Sequence, residues 1–183
     1  MLDLALIRRD NEVEAIMEMS ERQIEALGFT EHSRRHAGIV SKWSGEILRS
    51  LGKGEDRIRL AEIAGYLHDI GNCVNRKDHA QSGAILSYKI LTRLGMSAVD
   101  AAEIMMAIGN HDEQYGQPVS DVSSALIIAD KADVHKSRVR NPVKDVFQAN
   151  IHDRVNLAAE KSFVRVEEGG KVIALHIDID TAI

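Results

Sequence analysis

Six side chains of metal-binding type are spread through this sequence at positions that could bring them together. They are His36, His68, Asp69, His79, His111 and Asp130. Imidazole nitrogens and carboxylate oxygens are both suitable ligands for divalent metal ions. Six such ligands can hold two ions, and pairs of ions of this kind mostly serve the hydrolysis of phosphate esters. If the six side chains converge, the sequence predicts a metal-dependent hydrolase; if they do not, little else in it indicates a chemistry.

The adjacent pair His68-Asp69 can bind one ion only if the helix that carries it ends there. Neighbouring residues on a regular helix diverge by about 100°. Gly71 follows closely and is predicted to stop the helix. Taken alone, the pair could equally be a buried histidine beside a helix-capping aspartate.

The other four candidates are weak indicators one at a time. His36 lies mid-helix beside an apolar stripe, where a lone histidine more often packs in a core than binds a metal. His79 and His111 fall near the ends of predicted helices. Asp130 follows a strongly apolar run, where a carboxylate is costly to bury unless it is paired or coordinated. The case for a site therefore depends on the whole set.

The elements that must position these residues are predicted to be helices. Apolar residues recur at a helical period, and only two prolines interrupt the chain. The predicted helices cover residues 12–27, 31–51 (capped by Thr30), 57–68, 78–94, 97–109 (capped by Ser97), 119–138 and 142–159. The alternating segments 163–166 and 172–179, joined by 167–170, predict a β-hairpin.

The predicted fold class is an all-α helical bundle with a small C-terminal β-hairpin. We expect one domain, with the helical part over residues 1–160 and the hairpin appended over residues 161–183. Its 183 residues, 44% hydrophobic and 28% charged, are ordinary for one globular domain. A net charge of −5 disfavours a nucleic-acid polymer as partner. A single cysteine, Cys73, and the lack of any apolar run of roughly 20 residues favour a cytoplasmic protein without a membrane partner.

Five short segments resemble the motifs of the HD-domain superfamily of metal-dependent phosphohydrolases, in the same order along the chain. The resemblance covers roughly residues 30–140. The matching segments are His36-x-x-x-Val40, Leu67-His-Asp-Ile-Gly71, Asp78-His-Ala-Gln-Ser-Gly-Ala84, Ile108-Gly-Asn-His-Asp-Glu113 and Leu126-Ile-Ile-Ala-Asp-Lys-Ala-Asp133.

This resemblance implies an all-helical bundle with metal ions at its centre. Members with two additional histidines tend to bind two ions, and this layout looks like the branch that contains cyclic-di-GMP phosphodiesterases and diadenosine-tetraphosphate hydrolases. Carried over, His36, His68, Asp69 and Asp130 hold the first ion, while His79 and His111 hold the second, with Asp69 bridging. Iron or manganese is favoured, with zinc, magnesium, nickel or cobalt as alternatives.

The sequence departs from the phosphodiesterase branch at two places. Asn72 stands where that branch usually has lysine, which removes a cation expected near a substrate phosphate. Gly116-Gln-Pro118 stands where a Gly-Tyr-Pro signature is usual. These departures disfavour cyclic-di-GMP as substrate but leave the phosphohydrolase class.

Catalytic roles are expected for Asp69, Lys131 and Arg138. Asp69 would bridge the metal ions. Lys131, Arg138 and Arg140 follow Asp130 in the sequence and are the first candidates to clamp a phosphate. Arg76 and Lys77 are the next candidates. Two acidic residues, Asp112 and Asp133, could orient ligands or carry protons, and His32 is expected to be exposed or beside the ligands.

The predicted function is hydrolysis of a small phosphomonoester or phosphodiester, a nucleotide being favoured. A nucleotide-sensing module without turnover is the alternative that Asn72 keeps open, and a di-iron oxygenase is a further one. The free edges of the hairpin favour a homodimer.

Overall fold

The computed structural model describes residues 2–140 and 151–181, and these form a helical bundle followed by a two-stranded sheet. This confirms the predicted fold class. The helices are α1 (Leu4–Arg8), α2 (Asn11–Ala26), α3 (Arg34–Ser50), α4 (Glu55–Leu67), α5 (His79–Arg93), α6 (Ala98–Gly109), α7 (Asp121–Ala132) and α8 (Ile151–Ala158), with 3₁₀ helices at Ile70–Cys73 and Lys136–Arg138. The strands are β1 (Ala159–Glu167) and β2 (Val172–Ile179).

Short polar side chains start several helices by accepting a backbone N–H bond. The predicted cap at Ser97 is confirmed, since its hydroxyl accepts from the N–H of Asp100. The predicted cap at Thr30 is wrong, because α3 begins later and Ser33 caps it by accepting from the N–H of Arg35. The predicted start of a helix at Pro142 lies outside the described residues.

The helix predicted over 119–138 is shorter than the periodicity indicated. The helix α7 ends at Ala132, and a separate 3₁₀ turn covers Lys136–Arg138. The carbonyl oxygen of Asp133, just past the end of α7, accepts from Nη1 of Arg138 at 2.7 Å. This contact gives a hydrogen-bond partner to a carbonyl oxygen that the helix end leaves free. No local pattern in the sequence predicts this contact.

Two glycines allow the elements beneath the site to approach each other closely. A Cβ atom added at Gly65 would lie 2.7 Å from Cα of Ser41, so this glycine lets α4 lie directly against α3. A Cβ atom added at Gly71 would lie 2.0 Å from the carbonyl oxygen of His79, so the first 3₁₀ turn touches the start of α5. The helix α4 has already ended at Leu67, and the predicted role of Gly71 as its stop is wrong.

A continuous apolar core joins α3, α4, α5, α6 and α7. Its largest fully buried side chains include Leu48, Ile63, Leu67, Ile104 and Leu126. Fully burying an aliphatic side chain of this size contributes roughly 1.5–3 kcal/mol. In the described residues, no helix combines the length and hydropathy that a bilayer crossing requires.

The hairpin is antiparallel and packs on the core through β1. Val164 and Val166, opposite Leu175 and Ile173 in the register, contact the core, and the hydroxyl of Ser162 accepts from the N–H of Val134 at 3.2 Å. Strand β1 begins at Ala159, earlier than the predicted start at residue 163 and than the predicted division after residue 160, because its pairing with β2 continues to Ala159, which lies opposite Ile179. The homodimer remains a prediction.

Candidate metal centre

The six candidate ligands converge at the ends of helices. Five of them flank helix termini: His68 follows α4 directly, Asp69 comes next, His79 opens α5, His111 follows α6, and Asp130 lies in the last turn of α7. His36 lies in the first turn of α3, so the prediction that it sits mid-helix is wrong. The four imidazoles are buried.

Asp69 stands at the middle of the cluster. Its Oδ2 atom lies 3.2 Å from Nε2 of His68 and 3.9 Å from Nε2 of His36. Its Oδ1 atom lies 3.4 Å from Nε2 of His79 and 3.9 Å from Nε2 of His111. Each oxygen of this one carboxylate therefore faces a different pair of imidazoles.

Asp130 completes one side of the cluster. Its Oδ1 atom lies 3.2 Å from Nε2 of His36 and 3.5 Å from Nε2 of His68. On the other side, Nε2 of His79 lies 3.2 Å from Nε2 of His111. The ligand atoms of His36, His68 and Asp130 lie within 4.8 Å of one another, as do those of His68, Asp69 and His111. Both groups are close enough to share an ion.

Three of the histidines are oriented by the same local hydrogen bond. In each, Nδ1 donates to the backbone carbonyl three residues earlier, which requires the proton on Nδ1 and leaves the lone pair on Nε2. The pairs are His68 with Gly65 (2.9 Å), His79 with Arg76 (3.0 Å) and His111 with Ile108 (2.7 Å). All three free nitrogen atoms face the cluster, as metal ligation requires.

His36 is oriented by a carboxylate instead. Its Nδ1 atom lies 2.8 Å from Oδ2 of Asp133. The same carboxylate accepts from Nη2 of Arg35 at 3.2 Å. The expectation that Asp133 could orient a ligand agrees with this contact. Asp112 could orient His79 in the same way, but the distance from its Oδ2 atom to Nδ1 of His79 is longer, at 3.6 Å.

Two buried atoms of the cluster have no hydrogen-bond partner within residues 2–140 and 151–181: Nε2 of His68 and Oδ2 of Asp69. An unpaired buried polar atom is costly. Because both are good metal ligands and lie next to each other, a divalent cation fits this position well.

The electrostatics of the centre also favour a cation. Burial lowers the pKa of His68, but the adjacent carboxylates of Asp69 and Asp130 outweigh it and raise that pKa to about 10. Burial raises the pKa values of both carboxyl groups, yet the surrounding imidazoles bring them well below the ordinary range. Burial and the charge of His68 lower the pKa of His111 to about 4. The centre thus holds two ionised carboxylates and a proton on Nε2 of His68. A divalent cation bound between them would displace that proton from Nε2 and neutralise the carboxylates.

His32 lies beside the centre and is half-buried, as one of its two predicted placements had it. Its ring packs edge-on against that of His36, with centroids 5.5 Å apart, and Nδ1 lies 2.7 Å from the carbonyl oxygen of Thr30. Burial lowers the pKa of His32 to about 3, so its ring is neutral at pH 7.

A cavity of about 860 Å³ opens from Asp69 and Asp130 to the surface. Its wall combines cationic residues with exposed apolar ones. The wall includes Phe29, Arg76, Tyr115, Lys131 and Arg138. A cavity of this volume falls in the range of small-molecule sites.

The predicted phosphate-clamping residues are placed differently from one another. Lys131 lies on the cavity wall, where it pairs with Glu113 and with Oδ2 of Asp130 at 2.9 Å. Arg138 is buried in the wall and donates to the carbonyl oxygens of Asp133 and Glu31. Arg140 lies against α2, 3.6 Å from Glu21 and from Glu25.

One contact that the sequence analysis missed involves Asn72. Its Nδ2 atom donates to Oδ1 of Asp69 at 2.9 Å, and the whole side chain is buried. The sequence indicates Asn72 only as a position without the lysine of the phosphodiesterase branch. Its spacing from Asp69, three residues within a tight turn, was the available signal.

Comparison with known proteins agrees with this architecture. The model of the HD domain family matches residues 29–137. An uncharacterised protein of Methanocaldococcus jannaschii is 26% identical over an alignment of 157 residues, which covers 74% of this chain and 60% of that protein. The chain therefore spans less than two thirds of the length of this relative.

A solved structure is also similar. It is a predicted HD superfamily hydrolase from an uncultured Thermotogales bacterium, with 25% identity and a TM-score of 0.53 over 72% of this chain and 73% of the other. The matched family model covers more than half of the chain and contains all six converging ligands. This protein belongs to the HD domain family.

Proposed function

We propose that this protein is a metal-dependent phosphohydrolase with two divalent ions in the centre. The observation that carries the proposal is the division of Asp69: one oxygen faces His36 and His68, and the other faces His79 and His111. His36, His68, Asp69 and Asp130 would hold one ion, and His79, His111 and Asp69 the other. Mixed imidazole and carboxylate ligands suit iron or manganese.

Ions at such a site activate water for attack on phosphorus and neutralise the phosphoryl oxygens. The protein's own residues orient and shield the reacting groups. Backbone carbonyls and Asp133 hold the imidazoles in the ligating tautomer. Lys131 and Arg138 add positive charge to the cavity wall that receives the phosphate.

The substrate proposed is a nucleotide. The cavity volume of about 860 Å³ accommodates one, and its wall offers both charge for a phosphate and aromatic surface for a base. Phe29 and Tyr115 are the aromatic residues of that wall, and both are exposed.

The test begins with the metal content of the untreated protein, measured by plasma mass spectrometry. Protein stripped of metal and reloaded with Mn²⁺ or Fe²⁺ is then assayed against nucleotide phosphomonoesters and phosphodiesters, with product release followed by chromatography. We expect hydrolysis that Asp69→Asn abolishes and Asp56→Asn retains, because Asp56 is 76% exposed on the surface of α4.

Two other outcomes would contradict the proposal. Saturable nucleotide binding without product, in metal-loaded protein, would identify a sensing module. Oxygen consumption that depends on reduced iron would identify an oxygenase.

A further inference from the structure

The side chain of Asn72, in the turn between α4 and α5, makes two hydrogen bonds beside the centre. The side chain of Asn72 donates to Oδ1 of Asp69, and its Oδ1 atom accepts from Nη1 of Arg76 at 3.3 Å. Asn72 therefore links the central carboxylate to a cation four residues later in the chain.

The guanidinium group of Arg76 lies between the centre and the cavity. Its Nη1 atom is 3.4 Å from Nε2 of His79 and 3.8 Å from Oδ1 of Asp69. Its outer side lies over the ring of Phe29, 5.6 Å from the centroid, and the side chain is 32% exposed on the cavity wall. One group thus reaches both the ligands and the space where a substrate would lie.

Lys131 and Arg138, two of the three first candidates to clamp a phosphate, make closer contacts with protein groups than Arg76, which was among the next candidates. Lys131 forms close ion pairs with Asp130 and Glu113, and Arg138 donates to two backbone carbonyls. The nearest carboxylate oxygen to Arg76 among the described residues is the one 3.8 Å away, which is beyond hydrogen-bond distance. Arg76 therefore keeps donors free for an anion.

We propose that Arg76 binds the phosphoryl oxygens of the substrate and that Asn72 is the positioning residue that holds Arg76 and Asp69 in place. This inference rests on the proposed function. A planar guanidinium matches phosphate with two parallel hydrogen bonds. Arg76 would thereby supply a cation for the phosphoryl group, while Asn72 holds the central carboxylate.

Arg76 and an ion bound by His79 and Asp69 would lie next to the same atoms, Nε2 of His79 and Oδ1 of Asp69. Both Arg76 and the ion carry positive charge. Removing the guanidinium group should therefore weaken phosphate binding while leaving metal binding equal or tighter. Removing the amide of Asn72 should weaken both, because Asp69 and Arg76 lose their common partner. A merely structural role for Arg76 would weaken both in the same way.

The experiment uses the full chain, with Mn²⁺ as metal and inorganic phosphate as the probe, each titrated by calorimetry. Arg76→Ala should raise the Kd for phosphate about tenfold or more, while its Kd for Mn²⁺ should stay equal or fall. Arg76→Lys should recover part of the phosphate affinity. Asn72→Ala should raise both constants. Arg22→Ala, which removes an arginine 66% exposed on α2, should change neither.

An unchanged phosphate Kd in Arg76→Ala would overturn the inference, and so would a parallel loss of phosphate and Mn²⁺ binding. Thermal unfolding of each variant checks that it is folded, and Arg76→Gln replaces Arg76→Ala if the alanine variant is not. Wild-type protein that binds phosphate through Arg76 but hydrolyses no ester would refute the proposed function alone. Hydrolysis with an unchanged KM in Arg76→Gln would refute the role of Arg76 alone.

Discussion

The Nδ1 atom of His36 lies 2.8 Å from Oδ2 of Asp133, although 97 residues separate them in the chain. His36 opens α3, and Asp133 follows the end of α7, so this hydrogen bond joins the first and last segments that contribute to the centre. The pKa of Asp133, which burial would raise, is lowered to about 2 by this contact and by the neighbouring arginines. The carboxylate of Asp133 is therefore ionised and can accept a hydrogen bond from the Nδ1–H of His36.

We expect Asp133→Asn to weaken metal binding by about 10–100-fold, the usual effect of removing a partner that orients a ligating histidine. The amide is similar in shape but no longer provides an anionic acceptor for the Nδ1 proton of His36. Calorimetric titration of Mn²⁺ measures the change. Asp56→Asn serves as the control for loss of one carboxylate, and equal affinities in the two variants would contradict the orienting role.

The number of ions can be tested by removing one ligand at a time. His79→Ala should retain about one ion per chain, because His79 lies only on the Oδ1 side of Asp69. Asp69→Ala should retain less than His79→Ala, since Asp69 faces both sets of imidazoles. Metal content after gel filtration is the measurement, and a wild-type protein that saturates at one ion would exclude the two-ion centre.

Metal binding should also stabilise the fold. Ligand at a thousand times its Kd adds about 4 kcal/mol to the free energy of unfolding, and here the ion would also satisfy Nε2 of His68 and Oδ2 of Asp69. We expect the Tm of stripped protein to rise on addition of Mn²⁺, and this rise to be smaller in His68→Ala, which keeps only the ligands of the second ion. An equal rise in both proteins would place the binding elsewhere.

Gly71 should be intolerant of any side chain. The added Cβ of Gly71→Ala would meet backbone atoms of His79 and Gly83 at 2.0 and 2.4 Å, and overpacking of this kind costs about 1–3 kcal/mol or more. Urea denaturation measures it. The matched control is Gly38→Ala within α3, where no atom of residues 2–140 and 151–181 lies within 4 Å of the added atom and alanine should stabilise the helix by up to about 1 kcal/mol.

Stability should fall in acid partly through Asp121. Partial burial raises the pKa of its carboxyl group, but hydrogen bonds and ion pairs with Arg57 and Lys53 lower it below its ordinary value of 3.8. A carboxyl group whose pKa is lower in the folded than in the unfolded protein stabilises the fold at pH values above its unfolded pKa. This stabilisation is lost as the pH falls through the folded pKa. At pH 7, Asp121→Asn should lose about 1 kcal/mol of unfolding free energy.

This difference between wild type and Asp121→Asn should shrink as the pH is lowered below about 3.8. Chemical denaturation at pH 7 and at successively lower pH checks it. A difference that is the same at every pH would show that the carboxylate charge contributes nothing.

Local patterns in the sequence were sufficient to predict the hairpin and the helices α2 to α8, but they missed the five-residue helix α1 (Leu4–Arg8). Ser97 capped its helix as expected, because capping depends on residues within one turn. The end of α7 was mispredicted, because it depends on Arg138 reaching back to Asp133 rather than on a local stop signal. Strand β1 was predicted too short because residues 159–162 do not alternate between apolar and polar, although Ala159, Lys161 and Ser162 pair with β2.

The sequence by itself determined which residues could bind metal, in what order they occur and on what kind of scaffold, because residue type and periodicity are local properties. Only the tertiary structure decided that Asp69 faces two sets of imidazoles, that Asp133 orients His36, and that Asn72 joins Asp69 to Arg76. Those relationships depend on how side chains turn within each segment and on how helix ends meet across the bundle. Neither is encoded in the spacing of residues along the chain.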